Sequence, residues 1–184
     1  MVKIILLDRD GVINKNNKDQ YVRSWEHFEF LPGSIEAIKK ITDLGIEIFV
    51  ISNQAGVAKG LYTEEELSRM TQNMLGAIKA GGGNVNKVHY CLHRDEDACD
   101  CRKPKTGLFE QAIVGRKVDP GQVFVIGDSA RDIQAGQKLG FRTILVLSGN
   151  TKDREEINDF ELKPDFIAKD LLDAVDTVIV KENN

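Results

Sequence analysis

Ile4-Ile5-Leu6-Leu7-Asp8-Arg9-Asp10-Gly11 decides how the rest of the chain is read. Four apolar residues run straight into a charged turn closed by glycine. A short, unbroken apolar run of this kind reads as a strand covered on both faces, as in a parallel sheet. The pattern recurs downstream. Ile46 to Ile51 ends at Ser52-Asn53-Gln54, and Val85 to Tyr90 runs into the polar segment Cys91 to Lys105. Val123-Phe124-Val125-Ile126 ends at Gly127-Asp128-Ser129, Thr143 to Leu147 makes a fifth strand, and Asp165 to Ala168 a short sixth.

Helical patterns lie between these runs. Pro32-Gly33-Ser34 opens a helix with Ile35, Ile38, Ile41 and Leu44 on one face, and Gly45 stops it. Thr63, with Glu66 three residues later, reads as a capping box before the stripe Leu67, Met70, Met74 and Ile78. Gly81-Gly82-Gly83 ends that helix; because it follows a helix, it reads as a C-cap and not as a phosphate cradle. Thr106 to Val114 and Ala130 to Leu139 read as helices, with further ones near Asp153 to Asn158 and from Asp170. The alternation predicts an α/β fold, a three-layer Rossmann-like and mostly parallel sheet with helices on both faces. A chain of 184 residues suits one domain over 1–184. The long irregular stretches, Lys15 to Leu31 and Cys91 to Lys105, have the length of functional loops. The first is expected to form a flap.

Composition excludes several classes. With 41% hydrophobic and 29% charged residues the chain is not a disordered one. Its 25 basic and 29 acidic residues leave a net charge of −4, no broad footprint for nucleic acid. No apolar run is long enough to span a bilayer, and the start lacks the pattern of a signal peptide. The expectation is a cytoplasmic protein with reduced thiols, monomeric because no apolar surface helix is left over. Neither G-x-x-x-x-G-K-[ST] nor a strand-linked G-x-G-x-x-G is present, so nucleotide P-loops and dinucleotide folds have no support.

In a parallel sheet, ligands bind beyond the carboxyl ends of the strands. Here those ends carry Asp8 and Asp10, Ser52 and Asn53, and Asp128, with Arg102 and Lys103 in the segment after the third strand. Any one of them could be a simple cap or turn former. Together they form a phosphotransfer set. A carboxylate attacking a phosphate ester needs a cation to offset the repulsion, and Asp8 and Asp128 are hard oxygen ligands of the kind magnesium takes. Lys103 can add positive charge and Ser52 a hydroxyl donor at the transferring group. Asp10 can protonate the leaving oxygen and then activate water.

These stretches resemble the motifs of the haloacid dehalogenase superfamily of phosphatases. Leu7-Asp8-Arg9-Asp10-Gly11-Val12-Ile13-Asn14 is similar to the first, Ser52-Asn53-Gln54 to the second, Arg102-Lys103-Pro104 to the third and Gly127-Asp128-Ser129-Ala130-Arg131-Asp132 to the fourth. The resemblance implies Asp8 as nucleophile and Asp10 as acid and base, with Ser52 and Lys103 on the phosphoryl group. It implies magnesium held by Asp8, the Asp10 backbone carbonyl and Asp128, with Asp132 behind them. Asn53, Gln54 and Arg102 would join Asp8, Asp10, Ser52 and Lys103 in binding substrate.

All three cysteines fall in one segment, as Cys91-Leu92-His93 and Cys99-Asp100-Cys101. Four soft or borderline ligands so close together suit a closed, structural zinc site, which would pin the loop that carries Arg102 and Lys103. His27 and His89 lie outside it and read as a surface residue and a strand-end residue. Within the superfamily, the C-x-H…C-x-C-R-K-P arrangement resembles the heptose-bisphosphate phosphatases and the related histidinol-phosphate phosphatase domains. So do Phe28-Glu29-Phe30-Leu31-Pro32-Gly33 and the absence of a large cap domain. The implied reaction is removal of the 7-phosphate of D-glycero-D-manno-heptose 1,7-bisphosphate, a step towards lipopolysaccharide or related glycans. Ser129 stands where many of these enzymes place lysine, and the segment Arg94 to Ala98 is shorter than usual. The competing readings are a histidinol-phosphate or other small sugar-phosphate phosphatase, a phospho-aspartate switch, and a silent sugar-phosphate binder. A switch of the receiver type would carry its aspartate after the third strand, where this chain has Tyr90-Cys91.

Overall fold

Ile5 and Leu7 pack into one hydrophobic cluster and Ile4 and Leu6 into another, so β1 (Ile4–Leu7) is buried from both sides. This is the covering that a continuous apolar strand requires. The computed structural model describes residues 1–16 and 21–183. Its parallel sheet has the order β3-β2-β1-β4-β5-β6, with β2 (Glu47–Asn53), β3 (Lys87–Cys91), β4 (Val123–Gly127), β5 (Arg142–Val146) and β6 (Phe166–Ala168). Every pairing is parallel, and Leu7 is level with Val50 on one side and Ile126 on the other.

One face is covered by α1 (Ser34–Asp43), the end of α2 (Glu64–Ala80) and the C-terminal helix, through Ile38, Ile41, Met74, Ile78, Leu171 and Val175. The other is covered by α3 (Gly107–Ile113) and α4 (Ala130–Lys138), through Leu108, Phe109, Ala112 and Ala135. Each fully buried Leu, Ile or Phe stabilises the fold by about 1.5–3 kcal/mol relative to an exposed one. The C-terminal helix begins as α5 (Leu171–Ala174), widens into a π-helical turn at Val175–Ile179, and closes as α6 (Val180–Asn183).

Several expectations shift. Leu44 does not complete the stripe of α1; it sits at the C-cap and is 42% exposed. Only half of the capping box of α2 is seen: Thr63 accepts the Glu66 N–H at 3.1 Å, while the Glu66 carboxylate pairs with Arg69 at 3.0 Å. The helix expected near Asp153 to Asn158 is a 3₁₀ turn at Glu155–Asp159. β2 runs two residues further than expected, so Ser52 and Asn53 are paired strand residues opposite Tyr90 and Cys91. His89 is not at a strand end but inside β3, buried, its Nε2 without a hydrogen-bond partner among the described residues.

Candidate active site

A cleft of about 370 Å³ opens beyond the carboxyl ends of β2, β1 and β4, where the strand order reverses about β1. It is lined by Asp8, Arg9, Asp10, Ser52, Asn53, Gln54, Arg102, Lys103 and Asp128, together with Tyr21, Ser129, Arg131 and Asn150. Every residue expected to act on phosphate therefore faces one space.

The turn after β1 is tight. The Arg9 carbonyl accepts the N–H groups of Val12, Ile13 and Asn14, and Gly11 takes a φ of 85°, open to glycine at little cost. A Cβ at Gly11 or at Gly149 would collide with the Asp128 carboxylate, so both glycines leave room for that side chain. Asp8 Oδ1 accepts the Arg9 N–H at 2.7 Å and lies 3.0 Å from Lys103 Nζ. Lys103 is buried and also reaches Asp132 at 2.6 Å and the Ile51 carbonyl at 2.8 Å. Asn53 holds the Lys103 backbone from both sides, accepting its N–H and donating to its carbonyl at 3.1 Å each. Ser52 accepts from Gln54 Nε2 at 2.9 Å, which leaves its hydroxyl proton free to donate.

Asp8, Asp128 and Asp132 bring carboxylate oxygens within 4.8 Å of one another. Asp128 Oδ2 accepts both the backbone and side-chain N–H of Asn150, at 2.6 and 2.9 Å, while its buried Oδ1 finds no partner among the described residues. Burial first, then the neighbouring carboxylates, push Asp8 up to about 8 against the opposing pull of Lys103. Burial and Asp132 push Asp128 up to about 7. Hard oxygens, mutual repulsion and an orphaned acceptor fit a divalent cation. Asp132 joins this cluster while capping α4, accepting the N–H and hydroxyl of Ser129 at 3.1 and 2.6 Å. Ser129 is thus occupied within its own helix cap.

Asp10 makes no contact with Lys103. It is gripped by Arg9 Nε and Nη2 at 3.2 and 2.8 Å, Asn14 Nδ2 at 2.9 Å and Gln54 Nε2 at 2.7 Å. Burial alone would raise Asp10, but the Arg9 guanidinium and these hydrogen bonds outweigh it and hold the group below the ordinary aspartate value. Arg102 lies at the cleft mouth, its Nε 2.6 Å from Asp95. Arg131 Nη1 approaches the same oxygen at 3.7 Å. Sequence reading gave no role to Arg9, Tyr21, Arg131 or Asn150, although Arg9 and Arg131 stand inside the quoted motifs. The segment expected to form a flap reaches the cleft at Tyr21. Tyr21 lines the cleft and accepts from Lys59 Nζ at 2.9 Å, while residues 17–20 of the flap lie outside the described residues.

Cys91, His93, Cys99 and Cys101 place four ligand atoms within 4.8 Å of one another. The sulfur contacts run from 2.9 to 3.6 Å, well beyond a disulfide bond, and all three thiols are free. Lys105 closes the loop on itself by donating to the Cys99 carbonyl at 2.6 Å. The convergence of three thiols and an imidazole fits zinc. His27 is exposed, as expected.

Fold and site together define a hydrolase of the haloacid dehalogenase type, and a HAD-hydrolase-like family model matches residues 100–174. The chain is 34% identical over 182 residues to the D-glycero-beta-D-manno-heptose-1,7-bisphosphate 7-phosphatase of Neisseria meningitidis serogroup A, covering 99% of this chain and 97% of that one. The Bordetella bronchiseptica protein of the same name is 37% identical over 149 residues, 81% of this chain and 83% of its own. The crystal structure of D,D-heptose 1,7-bisphosphate phosphatase from B. bronchiseptica, complexed with magnesium and phosphate, superimposes with a TM-score of 0.89 at 32% identity, covering 98% and 99% of the two chains. The chain belongs to this family of heptose-bisphosphate phosphatases.

Proposed function

We propose that the chain hydrolyses the 7-phosphate of D-glycero-D-manno-heptose 1,7-bisphosphate by way of a phosphoryl group carried on Asp8. The observation that carries this reading is the setting of the Asp8 carboxylate at the cleft floor. Its Oδ1 is held by the Arg9 N–H and Lys103, which leaves Oδ2 as the oxygen available to attack. Asp8 would bond to phosphorus as the alcohol departs with a proton from Asp10, which the free site holds ionised and which would take up that proton from the incoming ester's monoanion. Asp10 would then take a proton from water as that water attacks the aspartyl phosphate, releasing inorganic phosphate and restoring Asp8. Lys103 and the Ser52 hydroxyl would stabilise the phosphoryl oxygens. Asp8, the Asp10 backbone carbonyl and Asp128 would hold magnesium, with Asp132 steadying Lys103 behind them. When bound, the ion offsets the repulsion between a carboxylate and a phosphate ester.

Arg102 and Arg131, meeting at Asp95 on the cleft mouth, support a substrate with a second anionic group. Asn53 and Gln54 would act mainly by fixing Lys103 and Asp10. Cys91, His93, Cys99 and Cys101 would hold a structural zinc. Three unbridged thiols suit a reducing compartment, and no helix among the described residues is long and apolar enough to cross a membrane. We read the setting as cytoplasmic and the enzyme as a monomer, with few large apolar side chains exposed.

The test compares kcat/KM on the heptose bisphosphate and on histidinol phosphate. Two charge-assisted contacts to the second phosphate imply a preference of about 10²-fold for the bisphosphate. Asp8→Asn should abolish turnover of both. A preference for histidinol phosphate would overturn the substrate reading, and an active Asp8→Asn the mechanism.

A further inference from the structure

Arg9 is the largest fully buried side chain among the described residues, at 1% exposure. A buried guanidinium is costly unless it is paired and hydrogen-bonded. Its pairing is with one group. Nε and Nη2 approach Asp10 Oδ1 at 3.2 and 2.8 Å, and Nη2 reaches Oδ2 at 2.9 Å. The rings of Phe28 and Tyr90 each stand 5.9 Å from Arg9 Cζ, so the cation is confined between aromatic walls.

A second arm reaches the same carboxylate from the segment after β2. Tyr62 donates to Gln54 Oε1 at 2.6 Å, which turns the other end of that amide, Nε2, towards Asp10 Oδ2 at 2.7 Å. Gln54 and Tyr62 are both buried. Asn14 Nδ2 completes the grip on Oδ1 at 2.9 Å. Three side chains from two elements therefore fix one carboxylate at the cleft wall. Nothing in the binding of phosphate requires this, since Arg9 contacts neither Asp8 by its side chain nor Lys103.

We infer that Arg9, assisted by Gln54 and Tyr62, is a positioning residue that aims the Asp10 carboxylate at the oxygen it serves. The inference rests on the proton-transfer role proposed for Asp10. It assigns a function to a buried arginine and a buried tyrosine that the phosphate-binding set leaves unused.

The two half-reactions separate aim from mere support. An alkyl phosphate needs a proton donated to its leaving oxygen in the first step. p-Nitrophenyl phosphate does not, because p-nitrophenolate departs as a stable anion. Both esters share the second step, in which Asp10 takes the proton of the attacking water. The experiment measures pre-steady-state and steady-state kinetics of Arg9→Met, Arg9→Lys, Tyr62→Phe and Asp10→Asn on both esters with magnesium present. Arg9→Met is expected to lower kcat/KM for the sugar phosphate by about 10²-fold. On p-nitrophenyl phosphate it should leave kcat/KM nearly unchanged, lower kcat and KM together, and release a burst approaching one p-nitrophenolate per enzyme. Arg9→Lys, keeping the charge without the fork, should fall between wild type and Arg9→Met. Tyr62→Phe should show the same pattern at a few-fold. If Arg9→Met does not fold, Arg9→Lys and Tyr62→Phe carry the comparison. Equal losses of kcat/KM on both esters, without a burst, would show that Arg9 only supports the fold and would overturn the inference. The same result in Asp10→Asn would instead overturn the role of Asp10, so the two failures are distinguishable.

Discussion

Lys103 is 3% exposed, and the three donors of its ammonium are spent on Asp8, Asp132 and the Ile51 carbonyl. Burial works against its charge, but Asp132 and Asp8 outweigh that and hold it above the ordinary lysine value. A cation in this position neutralises buried carboxylates and, in the mechanism proposed, would turn one donor to the transferring phosphoryl group. Lys103→Met should therefore lose on both counts. kcat is expected to fall about 10³-fold, as for removal of one preorganised transition-state donor. Stability is expected to fall by about 3–5 kcal/mol, because Asp8 and Asp132 are left as uncompensated buried charges. Asp132→Asn should separate the two. It can keep an acceptor for Ser129 while loosening Lys103, so kcat should fall by about ten-fold with KM little changed, roughly one lost charge-assisted bond. Steady-state kinetics and thermal unfolding check both variants, and a fully active Lys103→Met would remove the ammonium from the mechanism.

Between β3 and α3 the chain has no regular structure beyond a 3₁₀ turn at Asp95–Asp97, yet it carries Lys103 into the cleft. Its order comes from the convergence of Cys91, His93, Cys99 and Cys101, from Lys105 on the Cys99 carbonyl, and from Asn53 on the Lys103 backbone. Cys99→Ser should lose zinc by metal analysis of the purified protein and raise KM by about ten-fold, while the sheet retains its far-UV signature. Wild-type protein purified without zinc would sink this account of the loop. This element also marks what the sequence could disclose. The strands were legible where an apolar run ends in a polar cluster, as in β1 and β4, and less so in β3, where Lys87 and His89 interrupt the run; the candidate phosphate set was legible because those clusters sit at strand ends. Cysteine spacing made the convergence of Cys91, His93, Cys99 and Cys101 legible as well. Arg9 was not, because an arginine between two aspartates reads as a solvated turn until Phe28, Tyr90 and Gln54 are seen to enclose it. Arg131 and Asn150 were missed for the same reason: their partners, Asp95 and Asp128, are remote in sequence. Leu44 fits the helical stripe by spacing but falls beyond the last turn, where the periodicity no longer sets which way it faces.

Two hydrophobic layers, one on each face of the sheet, support a cleft that works against the fold. Asp8 and Asp132 both pair with the buried Lys103, and Asp128 brings a third carboxylate oxygen within 4.8 Å of theirs. Burial, followed for Asp8 by its charged neighbours and for Asp128 by Asp132, puts Asp8 at about 8 and Asp128 at about 7. An unfolded aspartate titrates near 3.9, so between about pH 4 and 8 the metal-free folded state binds more protons than the unfolded one. The sign follows. These groups cost little stability below pH 4, and progressively more as pH rises through their folded values. Replacing Asp128 by Asn removes one buried charge while leaving an acceptor for Asn150. In metal-free buffer Asp128→Asn should therefore match wild type near pH 4 and exceed its Tm by about 2–4 °C at pH 8, the shift that about 1 kcal/mol produces in a chain of this length. Magnesium should reverse the order, raising the Tm of wild type by mass action and leaving the variant nearly unmoved. The same substitution should abolish turnover, exchanging activity for stability as expected where function requires like charges to be held together. Thermal unfolding at the two pH values, with and without magnesium, decides it. A variant less stable than wild type at pH 8 without metal would mean that Asp128 supports the fold in its own right, and is not a charge held in place against the fold's preference.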